Sequence, residues 1–94
     1  MMRLTSDERA IIKRVVEDIF GKSQILLFGS RLDPIKKGGD IDLFVIPQNR
    51  DGLVRKKVLA AARLERHLLK PVDIVIHYDF ERTIEREALR GVEL

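Results

Sequence analysis

The order of hydrophobic patterns along the chain predicts an α/β (α+β) fold, a small mixed β-sheet with helices packed on it. Three observations predict it. Apolar residues recur at helical spacing from Ile11 to Phe20 and again through the fifties and sixties, ending at Leu68. Three short apolar runs, at Ile25-Leu26-Leu27-Phe28, Leu43 to Ile46 and within Val72 to Ile76, are bounded by turn residues and read as buried strands. The resulting order is helix, strand, strand, helix, strand, helix.

Thr5 with Glu8 three residues on is a capping box. Ile11, Ile12, Val15, Val16, Ile19 and Phe20 form the stripe of the first helix, and Gly21 ends it. The first strand runs from about Gln24 to Phe28. In the loop from Gly29 to Gly39, Asp33-Pro34 and Gly38-Gly39 are turn signals. The second strand runs from about Asp40 to Ile46, and Pro47 stops it. The loop between the two strands is long, so their pattern leaves their relative direction open. Gln48 to Gly52 is a polar turn in which Asn49 or Asp51 can cap the next helix. That helix spans about Leu53 to Leu69. Its inner face is read as Val54, Val58, Ala61, Ala62, Leu64 and Leu68, with Arg55, Lys56, Arg63, Arg66 and Lys70 on the remainder. Pro71 prevents continuation, and the third strand follows from Val72 to His77. Phe80 to Leu94 carries Ile84, Ala88 and Leu89 at helical spacing, giving a short helix that ends at Gly91 and a tail.

Ninety-four residues make one domain, spanning 1–94, with a modest core. There are no cysteines, which excludes disulfides and thiolate metal sites. No apolar run approaches the roughly 20 residues of a membrane span, and the N-terminus lacks a signal-peptide core. The chain therefore reads as cytoplasmic. A net charge of +3 is too small to argue for a nucleic-acid binder, and suits an anionic nucleotide equally well. The basic helix from Arg55 to Lys70 is the remaining feature in favour of nucleic acid.

The chemistry concentrates in Asp40-Ile41-Asp42. Side chains alternate along a strand, so both carboxylates point to one face. Two like charges there repel unless a cation, such as a divalent metal ion, sits between them. The plainer reading is a polar strand start with both aspartates solvated. Asp73 lies in the otherwise apolar strand Val72-Asp73-Ile74-Val75-Ile76, where an unpartnered carboxylate is costly. A site shared with Asp40 and Asp42 resolves that conflict. Gly29-Ser30 ends the first strand, where backbone amides and the Ser30 hydroxyl can contact phosphate. His67 reads as a surface residue of the basic helix. His77 lies on the same face as Asp73, and its place at the strand end reads as structural. Lys36 and Lys37 read as solvated loop residues.

Gly29-Ser30, nine residues, then Asp40-x-Asp42 resembles the signature of the nucleotidyltransferases related to DNA polymerase beta. In its shortness the chain is similar to the minimal nucleotidyltransferase (MNT) group, commonly paired with a helical HEPN protein as a toxin–antitoxin module. The spacer is one residue shorter than the common form, and Gly39 stands where serine is frequent. The resemblance implies an antiparallel pairing of the first two strands. It implies Mg²⁺ held by Asp40, Asp42 and Asp73, with ATP as substrate. Asp73 matches the third acidic residue that serves as metal ligand and general base, and Arg31, directly after the Gly-Ser pair, is a phosphate contact. The implied reaction is transfer of AMP to a hydroxyl, with a HEPN-family toxin as partner and a tyrosine on it as acceptor. Larger relatives carry an extra helical domain for the acceptor, and this chain is expected to rely on a partner instead; self-association is compatible with the same open face. The alternative is an antitoxin that neutralises its toxin by direct binding without catalysis.

Overall fold

Regular structure begins where the sequence caps it. The Thr5 hydroxyl accepts from the Glu8 amide at 3.0 Å, and the Glu8 carboxylate accepts from the Thr5 amide at 3.1 Å. Helix α1 (Ser6–Phe20) follows and buries Ile12, Val15, Val16 and Phe20. The computed structural model describes residues 4–29 and 40–94. Within them the order continues with β1 (Ser23–Phe28), β2 (Ile41–Pro47), α2 (Leu53–Leu68), β3 (Val72–Ile76), α3 (Thr83–Ala88) and β4 (Val92–Glu93). This is an α+β fold with a four-stranded mixed sheet in the order β3-β2-β1-β4. β1 runs antiparallel to β2 and β4, and β2 runs parallel to β3. A parallel pair needs a crossover connection, and α2 supplies it. Among the described residues no helix is long and apolar enough to cross a membrane.

The strands read as near-continuous apolar runs because both faces of the sheet are covered. Ile25, Leu27, Ile41, Leu43, Val45, Val72, Ile74 and Ile76 face α1 and α2, which add Ile12, Phe20, Leu64 and others to the main core. The alternate residues Leu26, Phe28 and Phe44 form a second, smaller core with Ala88 of α3. Asp42 and Asp73 belong to this second face by parity.

Three expectations change. The inner face of α2 is Leu53, Ala60, Leu64 and Leu68, whereas Val54 and Val58 are exposed, as is Ala62. The helix carries two apolar stripes about a hundred degrees apart, and periodicity alone does not say which one the sheet takes. Its N-cap is Gly52, with no side-chain cap; the Asn49 carboxamide instead accepts from the Asp51 amide at 2.9 Å within the turn. Finally, the residues expected to form a tail include β4, whose Val92 lies opposite Leu27 and Glu93 opposite Leu26. A side chain at Gly91 would collide with the Leu27 carbonyl, so glycine is what lets the chain close onto the sheet edge.

Candidate active site

The second face owes its helix to a buried carboxylate. α3 has six residues, too few to persist by itself. Glu85, 0% exposed, anchors it. One oxygen contacts His77 Nδ1 at 2.7 Å, and the other accepts from the Tyr78 and Asp79 amides and from Arg82, each at 2.9 Å. Burial pushes this carboxyl up, but the Asp79 amide, the His77 ring and the Tyr78 amide outweigh it and lower it from 4.5 to about 2. His77 in turn stacks on Phe80 at 3.8 Å between ring centroids and meets Phe44 edge-on at 6.4 Å. The amide of His77 donates to the Val45 carbonyl, continuing the ladder past β3. Arg50 donates to the His77 carbonyl. His77 is thus a structural post, as the sequence suggests. Glu85 was not singled out from the sequence; Ile84 and Leu89, which were, are 38% and 44% exposed. The available signal was Arg82 three residues before Glu85.

The carboxylates stand at the other end of that face. Asp42 is directly opposite Asp73 in the parallel β2–β3 register, and opposite Phe28 in the antiparallel β1–β2 register. The sequence places them there by local means. Leu69, at φ 56°, turns the chain out of α2, and Pro71 blocks further helix. The Pro71 carbonyl then accepts from the Ile41 amide at 2.9 Å, and Glu65 of α2 accepts from the Val72 amide at 2.9 Å. The starts of β2 and β3 are therefore tied together just ahead of the aspartates, and β3 is tied to α2 one residue before Asp73. Lys70 adds an ion pair to Glu8 of α1 at 2.8 Å.

Gly29 completes the arrangement from β1. Its φ is +80°, a conformation costly for any side-chain-bearing residue, and a Cβ there would collide with the Asp42 carboxylate. The turn backbone thus comes directly against Asp42. Asp42 is half-buried, while Asp40, one residue ahead of β2, and Asp73 are exposed. Ser30 and Arg31, the other expected phosphate contacts, lie outside the described residues, as do Lys36 and Lys37.

Neighbouring strands lie about 4.8 Å apart, so carboxylates at one register position can share a cation. Among the described residues no three acidic or histidine side chains are gathered tightly enough to enclose a metal ion. Magnesium does not require that: it takes one or two carboxylates together with substrate phosphates and water. The hard oxygen pair and the glycine turn beside it fit such an ion.

Residues 9–93 match the family model described as the nucleotidyltransferase domain. No curated protein is matched. With nearly its whole length matched, and with a mixed sheet that pairs two aspartates beside a glycine turn, the chain belongs to the nucleotidyltransferase domain family.

Proposed function

We propose that this protein is a Mg²⁺-dependent transferase that moves AMP from ATP to a hydroxyl on a partner protein, and that the partner is a HEPN-family toxin neutralised by the modification. The observation that carries the reading is the register pairing of Asp42 with Asp73 against the Gly29 turn. Family membership supports nucleotidyl transfer in general. The exposure of Asp40 and Asp73 supports an acceptor borne on another macromolecule, because nothing among the described residues roofs the carboxylates.

Asp42 and Asp73 are the pair that would hold the metal ion, and Asp40, one residue ahead of β2, is the third carboxylate that the resemblance adds. When bound, the ion neutralises charge on the phosphates and orients them for in-line displacement. The chain's own groups do the rest. The Gly29 backbone, with Ser30 and Arg31 after it, positions the triphosphate. Asp73 takes the proton of the acceptor hydroxyl as its oxygen bonds to the α-phosphorus. The bond from that phosphorus to the bridging oxygen breaks, and pyrophosphate leaves.

The test is incubation with Mg²⁺ and α-labelled ATP, with and without a HEPN-family protein, reading label on protein. Label on the HEPN protein that falls by about a hundredfold or more in Asp42→Asn and Asp73→Asn is the expected result. A stable complex that forms with no label transferred would replace it with neutralisation by contact alone.

A further inference from the structure

Helix α2 carries an apolar ridge that the fold does not use. Val54 and Val58 are 71% and 66% exposed, Leu59 is 50% exposed, and Ala62 continues the ridge at the same four-residue spacing. Together with Arg55 they line one shallow groove. Valine is a poor choice for a solvent-facing helix position. Its branched side chain loses rotamer freedom, at roughly 0.5 kcal/mol each relative to alanine, and exposure recovers nothing. Local structure gives these valines no purpose.

The charge on this helix is predominantly positive. α2 holds Arg55, Lys56, Lys57, Arg63 and Arg66 against a single acid, Glu65. Glu65 is occupied with the Val72 amide. The whole chain has a net charge of only +3, so its positive excess is concentrated on this helix. Arg63 reaches Asp18 at 3.9 Å; Arg55, Lys56, Lys57 and Arg66 make no ion pair among the described residues.

We propose that the outer face of α2 is the docking site for a partner protein that presents an apolar helix or ridge rimmed by aspartate and glutamate. Charge selects this occupant over a second copy of the chain, because two-fold pairing through α2 would set cations against cations. The inner side of α2 packs on the sheet face opposite the one to which Asp42 and Asp73 belong. A partner seated here leaves the carboxylates open, so docking and chemistry are separable. Docking on α2 requires no transfer reaction at the carboxylates.

The test titrates the ¹⁵N-labelled chain with two synthetic helical peptides that share one leucine ridge, one rimmed with glutamate and the other with lysine. The glutamate-rimmed peptide is expected to shift amide resonances across residues 53–69. Its affinity should fall at least tenfold in Val58→Asp and in the Val54→Ser/Val58→Ser double variant, and fall again with added salt. Thermal melts of both variants should match the parent, because the side chains changed are exposed. Four outcomes overturn the proposal. Neither peptide shifts α2; or the lysine-rimmed peptide binds as well; or phosphatidylglycerol vesicles or duplex RNA shift α2 while the glutamate-rimmed peptide does not; or sedimentation shows self-association that Val58→Asp abolishes.

Discussion

Gly29 and Glu85 are the residues on which the second face depends, and each makes a separable prediction. Gly29→Ala places a methyl group against the Asp42 carboxylate and asks a chiral residue to hold φ +80°. We expect a loss of about 1–2 kcal/mol in a denaturant melt, and a loss of nucleotidyl transfer larger than the melt explains, because Asp42 itself must move. Glu85 is more acidic in the fold than in the unfolded chain, at about 2 against 4.5. Between those values the unfolded chain binds more protons, so lowering the pH favours unfolding. The stabilisation, on the order of 3 kcal/mol, is complete above about pH 4.5 and is lost as pH falls toward 2. Urea melts of the parent and Glu85→Gln should therefore differ most at neutral pH and converge in acid; a gap that stays constant with pH would show that Glu85 is not ionised in its anchor. Strand alternation put Asp42 and Asp73 on one kind of position and the register pairs them, but the cost of burial expected for Asp73 does not arise, because at the start of β3 its side chain is exposed. Glu85 was not legible in the sequence, because three of its four partners are set by the turn between β3 and α3, and only Arg82 has a readable spacing.

At the scale of elements, α2 separates what periodicity conflates. Leu64 is 0% exposed and Val58 is 66% exposed, although both read from the sequence as inner-face positions; six residues apart, they belong to different stripes of the helix. Leu64→Ala should cost about 2–5 kcal/mol, and Val58→Ala should fall within about 0.5 kcal/mol of the parent or stabilise slightly. Comparable losses at both positions, in the same thermal or urea melts, would contradict this phase of the helix. α1 was legible to its cap because Thr5 and Glu8 act within one turn and need no tertiary partner. β4 was not, because two residues carry no period; its place is set by Gly91 fitting against Leu27, which only the folded sheet reveals. The antiparallel pairing of β1 with β2 came from the resemblance, since the loop between them leaves direction undetermined.

For the whole molecule, the sheet divides the labour. One face is given to α1, α2 and the main core, and the other holds a small core under α3 beside Asp42 and Asp73. A metal-assisted nucleotide site at this aspartate pair, as proposed, can be tested without knowing the acceptor. The measurement is calorimetric binding of a non-hydrolysable ATP analogue in Mg²⁺ and in EDTA, for the parent, Asp42→Asn and Val58→Asp. Binding that requires Mg²⁺, weakens at least tenfold in Asp42→Asn and is unchanged in Val58→Asp is the expected result. Binding of equal strength in EDTA, or undiminished in Asp42→Asn, would show that the aspartate pair does not hold a metal-bound nucleotide.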